Sequence, residues 1–216
     1  MRPAHAQFRP EGLPFACLCA LAVVAFALLE WSLLALLALA LTGFVVNFFR
    51  DPERIPPEDS ALAVAPADGR VVLVGEREDP MTGERRVCVG IFMNVFNVHV
   101  NRMPVAGEIS RIAYHPGVFF NASLDKASED NERNAVALED DEGRSWTMVQ
   151  IAGLVARRIV CQAELGDRLG RGERFGMIKF GSRVDLYLPH DYQPLVGVGE
   201  RVLAGQTAVA APRRAD

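Results

Sequence analysis

The chain has 216 residues, 50% hydrophobic and 23% charged, with 23 Lys+Arg against 27 Asp+Glu for a formal net charge of −4. That length holds one globular domain plus an appendage, the apolar content excludes a disordered chain, and the acidic balance excludes a dedicated nucleic-acid binder, which needs a positive surface to meet phosphates. Cysteines 17, 19, 88 and 161 match no zinc spacing and do not read as a disulfide framework, which fits a reducing compartment.

From Phe15 to Phe49 the chain is almost continuously apolar, broken by Glu30 and Ser32. The run is too long for a signal-peptide core, and since one transmembrane helix needs roughly 20 apolar residues, it exceeds one span and falls short of two. A single tilted helix would put Glu30 near the bilayer centre, at a cost of about 3 kcal/mol unless it is paired or protonated. A hairpin turning at Glu30, Trp31 and Ser32 would put that carboxylate at an interface. Arg2 and Arg9 precede the run and Arg50 and Arg54 follow it, which favours a hairpin, spanning or re-entrant, with both ends cytoplasmic. The lack of a polar face argues against a buried helix of a water-soluble protein. Residues 1–50 therefore read as a membrane-associated segment and 51–216 as a separate domain, the boundary marked by a stretch rich in Pro and charge.

Beyond it, short Val-rich runs separated by Gly and Asp-Gly turns predict strands at 70–74, 86–92, 108–113, 135–138, 147–151 and 184–188. The polar stretch from His115 to Asn134 has no strand pattern, and a loop that long in a compact domain is usually functional or disordered. An internal echo relates residues 165–173 to 198–206, with Gly166 and Gly172 in register with Gly199 and Gly205, and Arg168 with Arg201. Such a turn, strand, turn unit suits the corner of a barrel-sandwich hybrid like that of lipoyl and biotinyl domains, although turn chemistry alone produces similar spacing. The expected fold is β-dominated (α+β): a barrel-sandwich-hybrid-like domain behind an N-terminal hydrophobic helical hairpin.

Histidines are few in this domain: His99, His115 and His190. His99 stands out because residues 93–104 set amides, a guanidinium and an imidazole into an apolar run, where polar groups need partners. Asp68, in Pro66-Ala67-Asp68-Gly69-Arg70, reads first as an Asp-Gly turn opening a strand and second as a carboxylate that orients an imidazole. Gly181-Ser182 reads as a turn before a strand. There is no GxSxG elbow, HExxH, P-loop or GxGxxG, so no α/β-hydrolase, metal or nucleotide site is indicated.

Six segments in order resemble the phosphatidylserine decarboxylase family in its short bacterial form: Phe-Phe-Arg-Asp-Pro-Glu-Arg (48–54), Pro-Ala-Asp-Gly (66–69), Val-His-Val-Asn-Arg-Met-Pro (98–104), Asn-Ala-Ser-Leu-Asp-Lys-Ala-Ser (121–128), Asn-Glu-Arg-Asn (131–134) and Phe-Gly-Ser-Arg-Val-Asp (180–185). Any one of these is weak; six in the right order are specific. The resemblance covers residues 45–190 and adds the hydrophobic N-terminus expected of that form.

The resemblance implies an enzyme of the bacterial cell membrane with its catalytic domain on the cytoplasmic face, made as a proenzyme and dependent on a pyruvoyl group of its own making. Ser182 would attack the Gly181 carbonyl, the amide would become an ester, and β-elimination then hydrolysis would leave a pyruvoyl group at position 182 and two chains that stay associated. His99 would be the base, with Asp68 orienting it. The amine of phosphatidylserine would form a Schiff base with the pyruvoyl carbonyl, which takes up electrons as CO2 leaves, and His99 would return the proton before phosphatidylethanolamine departs. Longer relatives carry a second His where this chain has Arg102, so proton transfer falls on His99 alone or partly on His115, and Arg102 is left to line the site or contact phosphate. Phe119 and Phe120 would dip into an anionic membrane while Lys126 and Arg133 meet lipid phosphate. No metal is implied, and homo-oligomerisation is left open. Two other readings compete. A lipoyl-like carrier would use Asp125-Lys126-Ala127 as its lysine turn, and a membrane-anchored hydrolase would use Ser182, His99 and Asp68 as a triad.

Overall fold

The computed structural model describes residues 7–119, 122, 130–154, 158–179 and 181–213, so Phe120 and Lys126 lie outside the described residues. The chain divides into two compact units, Met1–Glu53 and Arg54–Asp216.

In the first unit a 3-10 turn, Pro10–Gly12, leads into α1 (Leu13–Leu28), and α2 (Ser32–Phe48) packs back against it. The segment Pro10–Leu28 is long and apolar enough to cross a membrane, by length and composition. The reversal falls at Glu30, within the expected turn, and its φ of 64° is the left-handed conformation that ends α1. Trp31 secures it by donating its N–H to the Phe26 carbonyl at 2.9 Å and stacking on the Phe26 ring at 6.0 Å. At the open end Arg9 N–H donates to the Phe49 carbonyl (2.8 Å) and Asp51 N–H to the Gln7 carbonyl (2.7 Å), so entry and exit are pinned side by side. Gly12 is needed there, because a Cβ would lie 2.4 Å from Cγ of Phe49. No residue of α1 is buried, and Leu18, Leu28 and Leu33 are 67%, 79% and 71% exposed. An apolar surface of that extent calls for a non-aqueous cover.

The second unit is built from antiparallel strands: β1 (Ala63–Val64), β2 (Gly69–Glu78), β3 (Arg85–Met93), β4 (Val100–Arg102), β5 (Gly107–His115), β6 (Arg133–Glu139), β7 (Ser145–Ala152), β8 (Ile159–Cys161), β9 (Arg168–Leu169), β10 (Arg174–Ile178), β11 (Ser182–Tyr187), β12 (Tyr192–Pro194), β13 (Arg201–Val202) and β14 (Ala208–Pro212). A curled eight-stranded sheet runs in the order β13-β2-β3-β11-β7-β6-β5-β9, with two three-stranded sheets, β1-β14-β12 and β4-β10-β8. All six predicted strands are present. The short strands were missed because two or three residues show no period.

Alternation explains the layers. Along β11, Val184 and Leu186 enter the larger core with Val89, Ile91, Met148 and Trp146, while Tyr187 joins a second cluster with Cys88, Ala135 and Val149 on the opposite face. The same outer face holds the buried ion pair of Arg183 Nε and Asp185 Oδ1, 2.5 Å apart, in space that Gly90 leaves by having no side chain. Burial, and then the Asp185 charge, push the Cys88 thiol well above its ordinary pKa, so it acts as an apolar filler. The internal echo is structural: Gly166 and Gly199, like Gly172 and Gly205, have φ between 72° and 99°. Its two short strands, β9 and β13, close opposite edges of the eight-stranded sheet.

The β6–β7 turn is locked by Asp140, whose Oδ1 accepts from the Arg144 N–H (2.9 Å) and whose Oδ2 accepts from Trp146 Nε1 (2.9 Å) and Arg144 Nε (2.7 Å). Trp146 packs edge-on to Tyr192 at 4.6 Å, so the turn also fixes β12. Burial pushes the Asp140 carboxyl up, but the hydrogen bonds from Trp146 and Arg144 outweigh it and hold the pKa below the ordinary carboxylate value. A depressed folded pKa means stabilisation that is complete above the unfolded value, about 4, and is lost as pH falls through the folded value. Asp140→Ala is expected to destabilise the protein by about 2 kcal/mol at pH 7, with the deficit shrinking below about pH 4; denaturant melts of the detergent-solubilised chain at pH 7 and pH 3 check both.

Candidate functional site

Ser182 opens β11, fully buried, between Met93 of β3 and Ala152 of β7, its register partners. It is thus a strand residue where sequence pattern predicted a turn; the turn is Gly181, whose φ of 62° favours glycine. The Ser182 Oγ lies 3.9 Å from the Met93 sulfur.

The carbonyl of Gly181 is set against Gly153, which follows β7. A Cβ on Gly153 would lie 2.1 Å from that oxygen and 3.3 Å from Cβ of Ala122. Gly153 therefore provides the room in which the 181–182 peptide sits, and Ala122 brings part of the 115–134 stretch beside it. The far end of that stretch is fastened by Asn131, fully buried, whose Nδ2 donates to the Ala152 carbonyl at 2.7 Å, while Ala152 N–H donates to the Glu132 carbonyl at 2.9 Å.

His99 is fully buried just before β4, and its carbonyl accepts from Ile178 N–H at 3.3 Å, four residues upstream of Ser182. Its Nδ1 lies 3.0 Å from the Asn97 carbonyl. A carbonyl only accepts, so Nδ1 carries the proton and the neutral ring has its lone pair on Nε2, the form a general base requires.

Asp68 sits in the turn before β2, with Oδ1 accepting from Ala204 N–H (2.7 Å) and Oδ2 paired with Arg54 (3.0 Å). Arg54 also donates to Gln206 at 2.7 Å, so the acid is held by the second copy of the echo. Arg102 is buried and donates to the Gly172 carbonyl at 3.0 Å, in the first copy. The Arg102 N–H donates to the Pro66 carbonyl at 2.9 Å, which lays the Asp68 turn along β4.

Phe119 is half-buried and packs against the larger core. Arg133 is half-buried at the start of β6, its guanidinium donating to the Asn131 carbonyl at 3.4 Å, and His115 is its register partner on β5.

Sequence reasoning missed Gly153 and Gln150. Gln150 Nε2 donates to Asn101 Oδ1 (2.9 Å), its Oε1 accepts from Asn134 Nδ2 (3.1 Å), and Asn101 Nδ2 reaches the Met93 sulfur at 3.9 Å. This buried amide chain from β6 to the Ser182 neighbour is satisfied along its length, which makes it rigid. Asn101 and Asn134 stand in segments the sequence singled out, whereas Gln150 showed only as a glutamine in the predicted strand 147–151.

The family model for phosphatidylserine decarboxylase matches residues 41–210. The phosphatidylserine decarboxylase proenzyme of Nitratidesulfovibrio vulgaris is 62% identical, covering 97% of both chains. The protein of the same name from Ruegeria pomeroyi is 49% identical over 97% of this chain and 95% of its own.

Gly153→Ala is expected to displace the Gly181 carbonyl, and, if the 181–182 bond rearranges as the sequence resemblance implies, to slow that rearrangement about 100-fold, the penalty for misplacing reacting atoms by about 1 Å. The time course of conversion to two chains on a denaturing gel reads this, with the melting temperature as a control for folding.

Proposed function

The chain belongs to the phosphatidylserine decarboxylase family, and we propose that it decarboxylates phosphatidylserine to phosphatidylethanolamine after breaking its own backbone between Gly181 and Ser182 and converting Ser182 to a pyruvoyl group. The observation that carries the reading is the Gly181–Ser182 junction itself: a left-handed glycine, a buried serine hydroxyl and a carbonyl seated on Gly153.

The chemistry of cleavage uses the chain's own groups. His99, with its lone pair on Nε2, takes the Ser182 hydroxyl proton, and Oγ adds to the Gly181 carbonyl carbon. Collapse breaks the C–N bond, returns a proton to the Ser182 nitrogen and leaves an ester. Loss of the Ser182 α-proton then breaks the Cβ–Oγ bond, freeing Gly181 as a carboxylate, and water replaces the nitrogen, which leaves as ammonia. The Asn97 carbonyl, on Nδ1, orients the ring for this transfer, while the Asp68 carboxylate is engaged by Arg54 and Ala204.

The site suits a small carbonyl prosthetic group: position 182 lies between Met93 and Ala152, closed off from solvent, and although conversion removes its backbone nitrogen, its carbonyl and the ladders from Arg183 onward remain to hold the strand. When formed, the group supplies an electron sink for decarboxylation. The protein's remaining tasks are to exclude water, through the buried surroundings of residue 182, and to return a proton to the substrate's α-carbon, for which His99 is the group at hand. The apolar hairpin of the first unit would hold the enzyme on the bilayer where its lipid substrate resides.

Intact mass of the full chain beside Ser182→Ala and His99→Ala tests the reading. The parent is expected as two chains, the smaller beginning at position 182 and one ammonia lighter than hydrolysis predicts. Ser182→Ala is expected to stay whole and release no CO2 from phosphatidylserine, and His99→Ala to cleave at least about 100-fold more slowly. A folded parent that stays uncut yet decarboxylates would refute the pyruvoyl route.

A further inference from the structure

The register across the eight-stranded sheet sets Arg201 of β13 beside Arg70 of β2, and Arg70 beside Phe92 of β3, whose other register partner is Arg183. Partners in a ladder point to the same face, and like charges placed directly opposite one another destabilise a strand pair. Arg183 is neutralised by Asp185. Arg70 and Arg201 are exposed, and among the described residues neither guanidinium has a hydrogen-bond or ion-pair partner. In a chain of net charge −4, two cations set side by side without a carboxylate call for an anion from outside.

The surroundings point the same way. Arg70 and Arg201 line a cleft of about 270 Å³ with Gly69, Asn94, Phe96 and Asn97. Asn94 Oδ1 accepts from Phe96 N–H and Asn97 Oδ1 from Asn94 N–H, both at 2.9 Å. Because backbone N–H groups donate, these oxygens are assigned by their partners, and each side chain has its NH2 to offer to the cleft. Every polar side chain lining the cleft is therefore a donor. Phe96, 66% exposed, adds an apolar rim. The cleft also adjoins the proposed catalytic centre: Met93, beside Ser182, runs directly into Asn94, and the Asn97 carbonyl is the one that holds His99 Nδ1. Along this register Arg70 lies two strand spacings from Arg183, about 10 Å between backbones, and Ser182 precedes Arg183 at the start of the strand with its side chain on the opposite face.

We propose that the Arg70–Arg201 cleft binds the phosphodiester of a phospholipid, with the two guanidiniums and the Asn94 and Asn97 amides on its oxygens and Phe96 against its glycerol end. This rests on the proposed function for the identity of the lipid, though not for the anion chemistry. The phosphate end of the substrate is thereby held on the same turn that positions His99.

The test uses the full chain in a neutral maltoside detergent and dihexanoylphosphatidylglycerol, a soluble phosphodiester with no amine to react and no carboxylate to lose. Calorimetric titration is expected to show binding by the parent, at least about ten-fold weaker binding by Arg70→Gln/Arg201→Gln, and intermediate binding by Arg70→Lys/Arg201→Lys. Dihexanoylglycerol, which lacks the phosphate, is expected to distinguish none of them. Displacement of the probe by millimolar inorganic phosphate would support a site that reads the oxyanion alone, and resistance to displacement one that reads the lipid headgroup. Equal affinity of the parent and the glutamine variant, with matching melting temperatures, overturns the proposal. In turnover of dihexanoylphosphatidylserine the glutamine variant is expected to divide as fully as the parent and to raise KM about ten-fold with kcat within two-fold. A parent that binds the probe but neither divides nor decarboxylates would sink the proposed function while leaving the anion site standing.

Discussion

Strand β11 is hydrogen-bonded along both edges and buried on both faces, and much of the second unit exists to make that possible. A strand carrying Ser, Arg and Asp is a poor candidate for such a place, since each ion left unpaired would cost several kcal/mol of the order set by desolvation. The conflict is resolved within the strand: Arg183 and Asp185 are two residues apart, so they share a face and neutralise each other, and Gly90 on β3 withholds the side chain that would occupy their space. With the charges settled, Ser182 can be held on the other face, closed to solvent. A hydroxyl there has few competing partners, which is the setting a proton-transfer nucleophile needs.

The same strand explains how a divided chain would remain one enzyme. Residues 182–216 comprise β11, β12, β13 and β14, and these are distributed through the fold: β11 between β3 and β7, β13 on β2, and β14 on β1. A break at the 181–182 bond removes one covalent link from a strand that keeps both of its hydrogen-bonded ladders from Arg183 to Tyr187, and the second core cluster still closes over Tyr187. The new end would move little, because its neighbours on both sides are themselves central strands.

Much of the fold was legible because its long strands alternate. β2, β3, β5, β6 and β7 carry strong period-2 or continuous apolar patterns between Gly and Asp-Gly turns, and the hairpin reversal was readable from Glu30 and Trp31 interrupting an otherwise apolar run. The echo of residues 165–173 in 198–206 was legible as spacing, yet its purpose was not: only in three dimensions do its glycines and arginine-bearing strands emerge as matched closures of the two sheet edges, gripping Arg102 and Asp68 respectively. The candidate site was legible where residue type is rare, as for His99, or where an ordered series of motifs supplied it, as for Ser182. Gly153 and Gln150 were invisible because their roles are relational. One is defined by the carbonyl it leaves room for, the other by amides contributed from strands about 15 and 50 residues away in sequence.

The Asn94–Asn97 turn joins these threads. Its Asn94 and Asn97 oxygens, backbone and side chain, are engaged within the turn or by His99, which stiffens it and leaves the two side-chain NH2 groups to donate. A rigid turn that grips an imidazole on one side and an anion on the other sets the distance between the two ends of a headgroup without any moving part. Shape alone can thereby confine proton return to a substrate whose phosphate is already seated. A serine amine reaching the centre without a phosphodiester would leave two guanidiniums and two amides without their anion, and discrimination would come from those unmet donors rather than from any contact to the serine itself.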